Sequence, residues 1–353
     1  MSMMALGWSR RAVLLAALAA PAAWAIPQRA LRFPRDFGSH PDLRTEWWYI
    51  TGHAAAGTRE FGFQLTFFRS RVDATQGMRS AFAARQLIFA HAAITDLEGR
   101  KLWHDQRIAR AGFGVASAAE DDTDVRLRDW TLKRDGQGYA ARLPAEGFAL
   151  DLRFASTQPV LLQGDAGLSR KGPGSEDASC YYSEPQLATQ GRLSLQGRGF
   201  DVQGTAWLDH EWSEAYLNAE AVGWDWIGMN LFDGSALMAF QMRRRDGSVL
   251  WAGGSMRSAD GRLRVFGPDD LHFEAQDRWT SPRTRAAYPI RWRVRTPGGS
   301  FVVRALLDDQ ELDSRGSTDA VYWEGLSELR DADDKVVGRG YLELTGYAQP
   351  LRL

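Results

Sequence analysis

Asp209, His210, Glu211 and Trp212 stand side by side in LDHEWSEAYLNAEAVGWDWIGMN (208–230), and Trp224, Asp225 and Trp226 follow about a dozen residues later. Acids and a histidine set among indole rings suit proton delivery to an unsaturated ligand. Asp209, His210 or Glu211 would supply the proton. The faces of Trp212, Trp224 and Trp226 would then meet a developing carbocation. In a strand alternate side chains face opposite ways. Leu208, His210 and Trp212 therefore share one face, and Trp207, Asp209 and Glu211 share the other. A purely structural role is the competing reading, in which an acid pairs with an arginine and His210 fills a hydrogen-bonding gap.

A second aromatic cluster, TEWWYITGH (45–53), puts Thr45, Trp47, Tyr49, Thr51 and His53 on one face and Glu46, Trp48 and Ile50 on the other. Trp47, Trp48 and Tyr49 are candidates for the wall of an apolar site, or for a strand that closes a core. Gln64 and Gln241 follow in similar aromatic-Gln-apolar strands, either as ligand contacts or as buried amides bonded to backbone. No metal is expected. Contiguous Asp-His-Glu cannot converge on one ion from a strand, and His53, His91 and His104 lack ligand spacing. No cofactor is expected either: there is no G-x-S-x-G elbow, phosphate loop or dinucleotide fingerprint.

The elements that must carry these residues read as strands. Short alternating runs bounded by Gly, Asp and Asn recur along the chain, among them REFGFQLTFF, GFALDLRF, PIRWRVRT and GRGYLELTGY. RDG (245–247) and QGRG (196–199) read as hairpin turns. The chain also repeats itself. TEWWYITGHAAAGTREFGFQLTFFRSR is similar to VGWDWIGMNLFDGSALMAFQMRRR. GFALDLRF, CYYSEPQLATQGRLSL and GFDVQGTAWLDHEW have counterparts, in the same order, in GSFVVRALL, VYWEGLSELRDADDK and VGRGYLELTGYAQ. These repeats predict an all-β protein of two tandem lipocalin-like antiparallel β-barrels, at 26–217 and 218–353. A closed barrel removes its sheet edges and can hold one apolar ligand. The second copy, LELTGYAQ, has no histidine and no acid pair, so the charged cluster is expected to serve more than barrel closure.

Residues 1–25 read as a leader. Arg10 and Arg11 precede a short apolar run, and Ala23-Trp24-Ala25 is a small-x-small cleavage site. The paired arginines are similar to a twin-arginine signal, and the mature chain would begin at Ile26 in the periplasm or outside the cell. With 353 residues and a formal charge of −1, the chain has no basic footprint for nucleic acid. It is expected to be a monomer. Cys180 is the single cysteine, so no internal disulfide supports the fold; it reads as a small buried apolar residue.

TEWWYITGH, FGFQLTFFR, YYSEPQL, LDHEWS and GWDWIGMNL together resemble the AttH-like proteins and their carotenoid 1,2-hydratase (CrtC-like) relatives, from about residue 40 to about 348. The resemblance implies an exported or membrane-associated double lipocalin, an architecture shared more distantly with fungal kievitone hydratase and certain polyketide cyclases. It places His210 and Trp212 on the family's His-x-Trp and brings Tyr181 and Tyr182 into the candidate ligand wall. The hydratases' downstream Tyr and Asp are missing. Phe240 and Gln241 occupy that neighbourhood, which fits the AttH-like branch better. The function so implied is binding of an elongated apolar ligand (isoprenoid, polyketide or lipid) with hydratase-like acid–base chemistry. The alternatives are a lipid carrier without chemistry and an accessory to an envelope transporter.

Overall fold

The structure, a computed structural model, describes residues 29–351 apart from residue 216. The expected leader, its cleavage site and the start at Ile26 lie outside the described residues. The chain is almost entirely antiparallel sheet. Thirteen strands form the first sheet: β1 (Thr45–Ala56), β2 (Arg59–Arg71), β3 (Gln86–Asp96), β4 (Lys101–Arg110), β5 (Ala116–Ala118), β6 (Asp124–Leu127), β7 (Trp130–Asp135), β8 (Gly138–Ala145), β9 (Phe148–Ala155), β10 (Leu161–Leu162), β11 (Leu168–Arg170), β12 (Ala178–Leu195) and β13 (Arg198–Ser213). Ten form the second: β14 (Ala221–Leu231), β15 (Ala236–Arg244), β16 (Val249–Arg257), β17 (Leu263–Phe266), β18 (His272–Thr280), β19 (Ala287–Thr296), β20 (Gly299–Ala305), β21 (Glu311–Asp313), β22 (Val321–Arg330) and β23 (Val336–Leu344). One helical turn, α1 (Arg315–Thr318), precedes β22. One of the two sheets is nearly closed into a barrel.

Both sheets run in the same order. The first reads β4-β3-β2-β1-β13-β12-β9-β8-β7, and the second reads β17-β16-β15-β14-β23-β22-β20-β19-β18. Each repeat read in the sequence falls on strands at the same place in its sheet: β1–β2 with β14–β15, β9 with β20, β12 with β22, and β13 with β23. The QGRG turn is a two-residue hairpin in which Gln196 and Gly197 both take positive φ, 49° and 79°. That is the twist a tight hairpin needs.

Register refines the repeat. Tyr49 pairs with Asp209, and Trp226 pairs with Glu343. Ser183 also opposes Asp209, and Glu324 also opposes Glu343. Laid strand on strand, Trp47 matches Trp224, Tyr49 matches Trp226, and Asp209 matches Glu343. This corrects two expectations. Gln64 opposes Thr51 whereas Gln241 opposes Asp225, and Asp225 matches Trp48, so the two glutamines stand three positions apart. The second copy also does carry acids: Glu343 at the Asp209 position and Glu324 at the Ser183 position.

Alternation decides what each face buries. Trp48, Ile50, Phe61, Phe63, Leu65, Phe67, Trp130, Phe154, Leu208 and Trp212 fill the first barrel. The second has its own core around Trp292, Trp323 and Leu342. The opposite faces of β1, β12, β13, β14, β15 and β23 carry Tyr49, Tyr181, Trp207, Trp226, Phe240 and Tyr341, which pack together as a third cluster where the barrels meet. Gly62 permits that approach: a Cβ there would lie 2.6 Å from Tyr341 Oη and 2.9 Å from Leu326 Cβ. An apolar interface thus lies between two packed barrels, in addition to the core inside each.

Candidate functional site

A cavity of about 160 Å³ opens between the barrels. Trp47, Tyr49, Tyr181, Asp209 and Glu211 line it from the first barrel, and Trp224, Trp226, Phe240, Glu324 and Glu343 from the second. Ala215, Leu217 and Asn218 of the connecting segment also border it. Its wall is mostly apolar and rich in aromatic rings, with a few converging polar groups, as small-molecule sites commonly are.

Asp209 is the centre of the polar part. Its Oδ1 accepts hydrogen bonds from Ser183 Oγ at 2.5 Å and Trp207 Nε1 at 2.7 Å. Its Oδ2 accepts from Tyr181 Oη at 2.6 Å, and Tyr181 Oη in turn accepts from Trp226 Nε1 at 3.2 Å. Burial pushes the carboxyl up to about 7 against the pull of these donors, and the Glu211 charge adds to the rise. An ordinary aspartate is ionised at neutral pH. Asp209 is poised between acid and base there. Glu211 Oε1 accepts from Ser179 Oγ and pairs with Lys171 Nζ at 2.9 Å. The Lys171 ammonium lies 4.6 Å from the Tyr181 ring centre and 4.3 Å from that of Phe240.

His210 faces the other way. It is fully buried in the first barrel and is not among the residues lining this cavity. Its Nε2 lies 2.9 Å from Glu46 Oε1 and its Nδ1 lies 3.1 Å from Tyr182 Oη. Burial lowers the ring to about 4, so it is neutral, donating from Nε2 and accepting the Tyr182 hydroxyl at Nδ1. Glu46 also receives His40 Nδ1 at 2.7 Å and Arg69 Nε at 2.7 Å. Burial works to raise Glu46, but the bonds from His210 and His40 hold it below the usual carboxylate range. Trp212 stacks on His40 with ring centres 3.9 Å apart and 6° between planes. The ligating atoms of His40, Glu46 and His210 lie within 4.8 Å of one another, close enough for a metal ion. Arg69 on the same carboxylate puts a fixed cation where an ion would add a second positive charge.

The candidate residues therefore divide. Trp47, Tyr49, Tyr181, Asp209, Glu211, Trp224 and Trp226 come together at the cavity. Trp48, Tyr182, His210 and Trp212 turn into the first barrel. Asp225 turns into the second, bonded by Gln241 Nε2 at 2.7 Å and Tyr347 Oη at 2.8 Å and paired with Arg243. Gln64 donates to Thr66 Oγ1 and does not line the cavity. The sequence reading missed Glu324 and Glu343, whose register signal was visible in VYWEGL and YLEL. It also missed His91, which reaches Tyr322 only through the fold, Nδ1 to Oη at 2.8 Å. Cys180 is buried, and its thiol is pushed up to about 11 by that burial, as a packing residue should be.

A family model for AttH-like proteins matches residues 25–347. The chain belongs to the AttH-like family. Among solved structures, this AttH-like chain is similar to a candidate AttH from Nitrosomonas europaea, with 49% identity and a TM-score of 0.86 over 92% of this chain and 99% of that one. Kievitone hydratase from Nectria haematococca shares the fold at 16% identity and a TM-score of 0.71, over 92% and 94%. CghA does so at 15% identity and 0.54, over 85% and 88%. No curated protein matches the chain at a significant level.

Proposed function

We propose that this AttH-like protein binds an unsaturated apolar group between its barrels and protonates it, in hydratase-like chemistry with Asp209 as the acid. The observation that carries the reading is the chain Trp226 Nε1–Tyr181 Oη–Asp209 on the cavity wall, ending in a carboxyl that titrates at about 7. Such a group gives up a proton at neutral pH and can take it back. The indoles of Trp47, Trp224 and Trp226 line the same space, where their ring faces favour positive charge. The enclosed volume suits about one ring or one short branched unit, since a cavity of roughly 150 Å³ holds benzene. A longer isoprenoid, polyketide or lipid would extend out past the connecting segment. The fold shared with kievitone hydratase supports the chemistry by analogy. The N-terminal leader supports export to the periplasm or beyond.

Native mass spectrometry of the mature chain, incubated with a lipophilic extract of its own cells, tests this reading. A retained compound converted to a product heavier by one water, with conversion lost in Asp209→Asn, is the expected result. A compound held and released unchanged by both proteins would leave a carrier.

A further inference from the structure

The second barrel's contribution to the cavity has a use that the Asp209 centre does not supply. Glu324 and Glu343 are cross-strand partners on β22 and β23, and both line the cavity. Glu324 is 2% exposed, and its Oε1 has no hydrogen-bond partner. Tyr49 is 7% exposed, lines the same cavity, and its Oη also has none. Two buried, unsatisfied oxygens facing one space cost several kcal/mol on a rough scale unless something bonds them. Between them they offer a donor and an acceptor, the complement that a water molecule or hydroxyl needs.

Tyr322 stands beside them. It lines the cavity, and its Oη lies 2.8 Å from His91 Nδ1, whose Nε2 lies 2.9 Å from Ser317 Oγ on α1. Ser317 Oγ donates to Gln106 Oε1 at 2.7 Å. Burial and the nearby His104 hold His91 down at about 3, so the ring is neutral. The bonds then all point one way: Tyr322 to His91, His91 to Ser317, Ser317 to Gln106. The Tyr322 proton is thereby committed outward, and its oxygen lone pairs remain for the cavity.

We propose that Tyr49, Glu324 and Glu343 form a water subsite of this cavity, in which Glu343 takes the proton of the water that adds to the double bond protonated by Asp209. The proposal rests on the hydratase-like reading above and supplies its second half. The O–H bond of the Asp209 carboxylic acid breaks as the alkene π pair forms a C–H bond, leaving a cation on the neighbouring carbon. A lone pair of the held water bonds to that carbon. One water O–H bond breaks, its pair stays on oxygen, and its proton passes to the Glu343 carboxylate. One water has been added. Asp209 ends as carboxylate and Glu343 as acid, and a proton returned from Glu343 to Asp209 through solvent resets both.

The placement is that of a duplicated site. Glu343 holds in the second sheet the position Asp209 holds in the first, so two copies of one strand bring two protonatable groups to one space. Burial raises Glu343 to about 7, with the charges of Asp209 and Glu211 adding to the rise and an N–H of Trp224 opposing it. Burial and the Glu343 charge raise Glu324 well above the usual range, with the nearby Tyr49 and Tyr322 hydroxyls opposing the rise, so Glu324 stays an acid. The other charged and titratable groups lining the cavity are Lys171, Asp177, Tyr181 and His91. The Asp209 charge is one of those that raise Glu343, so an ionised Asp209 favours the protonated form of Glu343 at the end of the proposed step.

Water itself is the probe, so the test needs no ligand. A near-atomic-resolution crystal structure of the mature chain is expected to show a water within hydrogen-bonding distance of both Glu324 Oε1 and Tyr49 Oη, lost or shifted in Tyr49→Phe. Infrared titration of the carboxyl stretch from pH 5 to 9 is expected to show two buried carboxyls losing protons near pH 7. Glu343→Gln should remove one and Asp209→Asn the other. A dry position in the wild type, or a Glu343→Gln spectrum that matches the wild type, overturns the proposal. An unproductive Asp209 would show instead as Asp209→Asn leaving conversion unchanged; that result removes the cation to which the Glu343 step is attached and leaves only the water position standing.

Discussion

Replacing Asp209 by asparagine isolates the energetic claim on which the chemistry depends. The side chain keeps its shape, and its amide can still accept from Ser183 and Trp207. What is lost is a titration. Burial raises the folded-state value to about 7 from 3.8. The sign is opposite to that of a salt-bridged aspartate. The folded protein binds the proton more tightly than the unfolded chain, so the group favours folding at low pH, and that advantage is lost as pH rises from 3.8 to 7. Each unit in that interval is worth about 1.4 kcal/mol. Between pH 5 and pH 8 the wild type should lose about 2.6 kcal/mol through this residue alone. Urea denaturation of both proteins at the two pH values measures it. Contributions from groups that do not feel the Asp209 charge cancel in the comparison, and Glu343, which does feel it, is held constant by repeating the pair of measurements in a Glu343→Gln background. The variant's stability relative to wild type should improve by about 2–3 kcal/mol from pH 5 to pH 8. A pH-independent difference would mean that Asp209 is already ionised at pH 5, and the proposed acid would not exist.

Three further outcomes follow from the same geometry, and a fourth from the leader motif. Glu46→Gln leaves Arg69 buried without its carboxylate and should cost about 3–5 kcal/mol in urea denaturation. Trp226→Phe keeps a ring but removes the bond to Tyr181 Oη; its stability should fall by about 1 kcal/mol, while retention of the native-mass-spectrometry adduct weakens. Trp212→Phe, confined to the barrel core, should leave that adduct intact. N-terminal sequencing of the exported protein should begin at Ile26.

The fold was legible because strand alternation and internal repetition are local signals. Four repeat segments in order were enough to give two sheets of one topology. The division of β13 into a Leu208–His210–Trp212 face and a Trp207–Asp209–Glu211 face was equally readable. Which face lined the cavity was not. A double barrel has two apolar faces per strand, one for its own core and one for its twin, and period-two patterning is identical for both. His210 stood out by residue type, but its partners Glu46 and Tyr182 lie on neighbouring strands, and together they close a barrel. Glu343 was passed over because LELTGYAQ was compared with the Asp-His-Glu cluster for a histidine and an acid pair, so a single acid at the Asp209 position went unmarked. The His91–Tyr322 contact joins residues from different barrels, which no sequence spacing announces.

The central claim, that the cavity between the barrels and not the His210 cluster holds the ligand and does the chemistry, is tested most directly by comparing His210→Gln with Asp209→Asn. Conversion of the compound found by native mass spectrometry and urea denaturation are measured on each. The account predicts that His210→Gln, which disturbs a buried network, loses stability by about 1–3 kcal/mol yet converts normally while folded. Asp209→Asn should remain folded and lose conversion at least about tenfold, roughly 1.4 kcal/mol. A His210→Gln protein of wild-type stability that no longer converts, beside a fully active Asp209→Asn, would contradict it.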